Sequence, residues 1–124
     1  RIMLAIKVSQ KASSEATLIF DEIDAGISGQ TAIAIAHKLK ELSGHAQAIV
    51  VTHLHQVASV ADSHFVITKT VRDRTTSSAL QKVRNTDRVN ELARMMGGDS
   101  PSLNVIEHAK ELVRSHEGRP LLEN

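Results

Sequence analysis

A chain of 124 residues, 41% of them hydrophobic, is long enough for one domain-sized core and too apolar to stay disordered. Without cysteine it has no disulfide framework and no thiolate metal site, a composition compatible with a reducing cytoplasm, and its net charge of +1 selects no class of partner. Its apolar runs stop at four or five residues, far short of the roughly 20 that a membrane-crossing helix needs, and with Phe20 and Phe65 as the only aromatic side chains the core has to be filled by Ile, Val, Leu and Ala.

Residues 1–7 read as an apolar helix entered without a capping residue. Leu18, Ile19 and Phe20 then form a short apolar strand that ends abruptly in Asp21 and Glu22 and passes into Asp24-Ala25-Gly26-Ile27-Ser28-Gly29. Beyond it, Ala32, Ile35, Ala36, Leu39 and Leu42 recur at helical spacings of three and four, with Ser28 placed as the N-cap and Gly44 where a left-handed C-terminal cap is expected. A second apolar run, Ala48-Ile49-Val50-Val51, ends in Thr52-His53-Leu54-His55. Strand, helix and strand make a βαβ unit, and a right-handed crossover makes its strands parallel, so Asp21, Glu22 and His53 should emerge at one edge of the sheet.

Residues 64–69 have the character of a third strand and residues 75–83 of a fourth, both expected to extend the sheet, with a polar turn at Val71-Arg72-Asp73-Arg74. Residues 90–96 read as a short helix stopped by Gly97-Gly98, and residues 100–115 as another, opened by Pro101 and turning Leu103, Ile106, Ala109, Leu112 and Val113 toward the core. Residues 117–124 have the composition of a flexible tail. The predicted class is α/β, a mostly parallel sheet flanked by helices.

Adjacent carboxylates at the carboxyl edge of such a sheet stand where the ligands of open α/β proteins bind. One can serve a Mg²⁺ ion through oxygen ligands while the other polarises a water for attack on a phosphate. From these two residues alone, a solvated acidic turn would look the same.

Four separated segments, taken together and in order, carry a resemblance. They are the acidic strand end at Asp21-Glu22, the Gly26-Ile27-Ser28-Gly29 turn, the Val51-Thr52-His53-Leu54-His55-Gln56-Val57-Ala58 stretch, and Glu91-Leu92-Ala93-Arg94-Met95-Met96-Gly97-Gly98. In that order they resemble the C-terminal part of the head of the SMC-like ABC-type ATPases, specifically those of bacterial DNA double-strand-break repair. The resemblance runs from Arg1 to about Ser115 and implies that residues 1–116 are the C-terminal lobe of a P-loop ABC-type ATPase head, with residues 1–7 as the helix after a signature loop. It further implies that Asp21 serves Mg²⁺, usually through water, that Glu22 is the general base, that Ser28 and Gly29 lie in the loop that crosses to a second head, and that His53 is the switch histidine at the γ-phosphate. ATP and Mg²⁺ are the implied ligands. A second head in a homodimer, DNA and recombination proteins are the implied partners, and a nucleoid-associated cytoplasmic location follows from the same source. Many relatives of this type carry an aspartate where Ser28 stands, and proline often stands at the place of His55.

No Gly-x-x-x-x-Gly-Lys-Ser/Thr segment is present, so the chain lacks the loop that cradles phosphates and the lysine that meets them. With its opening inside an apolar helix, this makes a C-terminal fragment of a longer ATPase the expectation, inactive when isolated. A fragment that folds or dimerises without chemistry is one alternative. Another is a metal-dependent hydrolase using His53 and His55, since two histidines one residue apart can face one metal from a strand end, although Gln56-Val57-Ala58 supplies no further ligand. Finally, Lys69, Arg72, Arg74, Lys82, Arg84, Arg88 and Arg94 outnumber Asp73, Asp87 and Glu91 between positions 69 and 94. A DNA-facing hairpin and a solvated strand face both account for that excess, and no interleaved aromatics are present to stack bases.

Overall fold

The computed structural model describes residues 5–6, 15–27 and 29–116. These fall into two compact units, one running to Ala61 and the other beginning at Asp62. Of the helix expected at residues 1–7, Ala5 and Ile6 are helical and the remainder lies outside the described residues, as do Ser28 and the expected tail.

The first unit is the expected βαβ arrangement. Strand β1 (Thr17–Phe20) pairs in parallel with β2 (Gln47–Val50), Thr17 opposite Gln47 and Phe20 opposite Val50. The ladder continues one step further through the Val51 N–H, which donates to the Phe20 carbonyl at 2.8 Å. Helix α1 (Gly29–Ser43) makes the crossover and buries Ala32, Ile35, Ala36, Leu39 and Leu42, the five positions whose spacing announced it. A short helix α2 (His55–Ser59) follows β2. Phe20, Ile35, Ala36, Leu39, Leu42, Val57 and Val60 share one core with Ile6. Alternation along the strands sends Phe20 to that core while Ile19 and Ile49 stay exposed.

Gly44 does not act as a left-handed cap, since its φ is not positive. The last turn of α1 instead tightens, with the Gly44 N–H bonded to the Glu41 carbonyl at 3.2 Å and the His45 N–H to that of Leu42 at 3.0 Å. Such i to i+3 bonds satisfy terminal carbonyls without a left-handed residue.

In the second unit the expected extension of the sheet does not occur. Strands β3 (His64–Arg72) and β4 (Thr75–Val83) pair antiparallel with each other, His64 opposite Val83 and Arg72 opposite Thr75. The described strands thus form two separate pairs, one parallel and one antiparallel, and not a mostly parallel sheet. The antiparallel pairing of β3 with β4 follows from their connection. Parallel neighbours need a crossover of a dozen residues or more, whereas Asp73 and Arg74 alone join β3 to β4. Their φ values of 48° and 64° give the backbone the positive-φ turn that matches the twist of a hairpin.

Helix α3 (Asn85–Gly97) starts five residues before its expected position, directly after β4, and helix α4 (Leu103–His116) closes the chain's described part. Leu92 and Ala93 of α3 and Ala109 and Val113 of α4 are buried. A side chain at Gly97 would meet Pro101 at 3.2 Å and Val105 at 3.3 Å, so glycine lets the end of α3 approach the start of α4. No helix among the described residues is long and apolar enough to cross a membrane.

Candidate functional site

Parallel pairing of β1 and β2 carries both strand ends to the same edge of the first unit, because Phe20 and Val50 are register partners and each is followed at once by the residues singled out above. Asp21 leaves β1 first. Its side chain is exposed, like that of Glu22, and neither makes a hydrogen bond or ion pair with another described residue. Glu22 adopts a φ of 51°, a left-handed conformation that costs a side-chain-bearing residue about 1–2 kcal/mol. Strain of this kind is retained where the surrounding structure fixes it, frequently at functional positions.

Asp24 is the carboxylate that organises the edge. It is 5% exposed, and a single oxygen, Oδ2, accepts two hydrogen bonds from just beyond β2, from the Thr52 hydroxyl at 2.5 Å and the His53 backbone N–H at 2.8 Å, and lies 3.0 Å from His53 Nδ1 as an ion-pair contact. The Thr52 hydroxyl in turn accepts the Leu54 N–H at 3.0 Å, so its own proton is committed to Asp24. Burial opposes ionisation of Asp24, but the Thr52 hydroxyl, the His53 amide, its own backbone N–H and the charge of His53 outweigh it and hold the carboxyl below its ordinary value. The imidazole of His53 stays 73% exposed. With Nδ1 on the carboxylate, Nε2 is the nitrogen left for a ligand.

The structure therefore brings Asp24, Thr52 and His53 into contact, and sets Asp21 and Glu22 on the same strand exit without linking them to His53. Gly29 begins α1 at a φ of 56°. His55 begins α2, one residue beyond Leu54. Among the described residues no group of three or more His, Asp or Glu side chains could hold a metal ion, so the His53 and His55 pair has no third ligand and the metal-hydrolase alternative gains no support. A lone Asp21 carboxylate at an open edge suits Mg²⁺ delivered with a nucleotide, since Mg²⁺ keeps several waters and takes its remaining ligands from one or two carboxylates and the phosphates.

Neither Asp24 nor Thr52 was singled out from the sequence. The available signal was a threonine and a histidine ending one parallel strand opposite three carboxylates that follow the other. Which of those carboxylates is buried is decided by the turn at Ile23 to Ile27, where the Ile27 N–H bonds the Asp24 carbonyl at 3.1 Å.

The basic stretch is reduced by half-hidden uses. Arg94 is held by Glu91 at 2.7 and 2.8 Å, and Arg88 is buried. Lys69, Arg72, Arg74, Lys82 and Arg84 make no ion pair with a described carboxylate. Lys82 lies over the Phe65 ring, 5.6 Å from its centre.

No protein-family profile matches the chain. Curated relatives do: the DNA repair protein RecN of Treponema pallidum is 43% identical over 93% of this chain and 20% of its own length. That of Mycobacterium tuberculosis is 41% identical over 98% of this chain and 21% of its own, and that of Bacillus subtilis 39% over 92% and 20%. A solved structure from work on ATP-driven dimerisation and DNA-stimulated activation of SMC ATPases shares the fold, with a TM-score of 0.56 and 23% identity over 79% of this chain and 56% of that one. The chain is thus homologous to a segment of the RecN DNA repair proteins, spanning about a fifth of their length.

Proposed function

We propose that this chain is the C-terminal lobe of an ATPase head in a RecN-type double-strand-break repair protein and supplies the hydrolytic half of its nucleotide site. The observation that carries the reading is the parallel β1–β2 pair, which delivers Asp21 and Glu22 from one strand and the Asp24-bound His53 from the next to a single edge. The homology to RecN and the SMC-like fold support the same reading.

In this reading Mg-ATP is the substrate, cradled by an upstream P-loop. Asp21 would hold the Mg²⁺ ion, which would neutralise charge on the phosphates. Glu22 takes a proton from the attacking water as its oxygen bonds to the γ-phosphorus and the bond to the β-γ bridging oxygen breaks, leaving ADP and phosphate. His53 contacts the γ-phosphoryl oxygens, where charge gathers. Ser28 and Gly29 reach the second head of a homodimer, and the cycle of head engagement couples to DNA and to recombination proteins. The chain by itself, without a phosphate cradle, has no hydrolytic activity and binds nucleotide at best in the millimolar range.

The test is Glu22→Gln in the full-length protein. Shape, magnesium and ATP binding should survive, turnover should fall roughly 10²- to 10⁴-fold, and the heads should accumulate as an ATP-stabilised dimer. Asp21→Asn should differ by weakening magnesium-dependent nucleotide binding itself. Hydrolysis by Glu22→Gln at close to the parental rate would remove the assignment of the base.

A further inference from the structure

Asp24 has no role in the reaction as described so far, yet it is the most heavily engaged side chain at the site. Here two hydrogen bonds and the Nδ1 of His53 converge on one oxygen, and the backbone N–H and Nδ1 belong to the same histidine. The backbone bond fixes where His53 sits, and the 3.0 Å contact with Nδ1 orients its ring. Thr52, oriented by the Leu54 N–H, prevents the carboxylate from rotating away. An ionised carboxylate can only accept, so Oδ2 at 3.0 Å from Nδ1 favours a proton on that nitrogen.

We propose that Asp24 is the positioning residue of His53, holding the proton on Nδ1 so that Nε2 alone is presented to the phosphate. This rests on the function proposed above, and it gives the buried carboxylate a task separate from those of Asp21 and Glu22. Neither of them touches His53, and Asp24 touches no reacting atom. With Nδ1 protonated, Nε2 donates to a phosphoryl oxygen only in the imidazolium form, which takes its second proton from solvent, and that charge is balanced by Asp24 at 3.0 Å from Nδ1. Carboxylates behind metal-ligating histidines act in this manner, through ring orientation and tautomer, and losing one costs roughly 10- to 100-fold; a loss on the same scale is expected here.

One detail makes the proposal discriminating. All three groups approach the same oxygen, so an asparagine can keep its amide oxygen toward them and its NH₂ group away. Asp24→Asn should therefore preserve the Nδ1–H tautomer, whereas Asp24→Ala should lose it.

The experiment has two arms. On the 124-residue chain, nitrogen-15 NMR of the imidazole reads the tautomer directly. The expected result is Nδ1–H in the parent and in Asp24→Asn, and a shift toward Nε2–H in Asp24→Ala; a parent protein with Nε2–H would overturn the proposal without any variant having to fold. In the full-length protein, Asp24→Ala should lower kcat roughly 10- to 100-fold with little change in KM for Mg-ATP. Asp24→Asn should recover part of that loss, and adding Asp24→Ala to His53→Ala should cost nothing further, as expected for residues acting as one unit. If His53→Ala slows turnover and Asp24→Ala does not, the positioning role fails while the proposed function stands. If His53→Ala itself leaves turnover unchanged, the role of the histidine fails and the positioning role with it.

Discussion

At the scale of single residues, two buried titratable groups set the acid limits of the two units. Asp24 ionises more easily in the folded chain than its ordinary value of 3.8, so its stabilising contribution is complete above that pH and is lost as the pH falls through the lower folded value. His64 behaves as a depressed base. Burial disfavours its charged form, Arg88 adds repulsion, and Glu91 offsets only part of this. Its Nδ1 has no hydrogen-bond partner among the described residues, so protonation must place a charge at the buried foot of the β3–β4 hairpin. The folded pKa lies below 6.5, hence the contribution of neutral His64 is present above pH 6.5 and is lost below it. Acid titration followed by residue-resolved amide exchange should show loosening around β3, β4 and α3 first and around Asp24 only near or below pH 3.8. His64→Phe should remove the first step and leave the second; loss of both would contradict the separate origins. Residue-scale chemistry was also the least legible level in the sequence. Asp21 and Glu22 advertised themselves by adjacency, while Asp24, flanked by Ile23 and Ala25, gave no sign that it alone of the three would be buried. Burial at that position depends on a turn whose partners sit 28 and 29 residues away.

Among the elements, legibility followed the source of the stabilising energy. Helix α1 announced itself because one face is buried along its whole length, and that face is a pattern in the sequence; all five of its expected positions are buried. The β1 and β2 strands were readable for the same reason, as apolar runs ending in polar clusters. The hairpin was readable in part, since its two strands and the polar turn between them were expected but their separation from the first sheet was not. From Thr68 to Gln81 both of its faces are exposed, so no alternation tied either strand to a sheet, and only the two-residue connection distinguished a hairpin from a sheet extension. Helix α3 began early because its first turn, Asn85 to Arg88, offers no apolar residue to mark it. These differences have energetic counterparts. Leu42 is 1% exposed at the end of α1, and Leu103 is 80% exposed at the start of α4. Leu42→Ala should cost about 2–5 kcal/mol through lost burial and a cavity, whereas Leu103→Ala should fall within about 0.5 kcal/mol of the parent. Equilibrium urea unfolding distinguishes them, and equal effects would mean that α1 does not carry the core assigned to it.

For the molecule as a whole, the chain spans about a fifth of the RecN proteins it matches, and its surface bears on how it behaves alone. In the first unit, Ile19 and Ile49 are register partners on one face of the parallel pair, 70% and 46% exposed, with Val51 beside them at 48%. A pair of strands with an apolar outer face and open edges is a template for pairing with another chain. In the second unit, the β3–β4 register sets Phe65 and Ile67 on one face with Leu80, all at least half exposed, but Lys69 and Lys82 share that face, and charges of this kind blunt association. The two apolar faces therefore should not behave alike. The purified chain should associate with rising concentration, and Ile19→Thr with Ile49→Thr should shift sedimentation toward the monomer while leaving the core side of β1, where Phe20 is buried, untouched. Ile67→Thr with Leu80→Thr should have the smaller effect. Threonine keeps the β-branched shape that suits a strand, so loss of association would reflect the removed apolar surface and not a melted sheet, which far-ultraviolet circular dichroism verifies in the same samples. A chain that sediments as a monomer throughout, or that is rescued only by the hairpin substitutions, would show that the face carrying Ile19 and Ile49 is not the one that drives association.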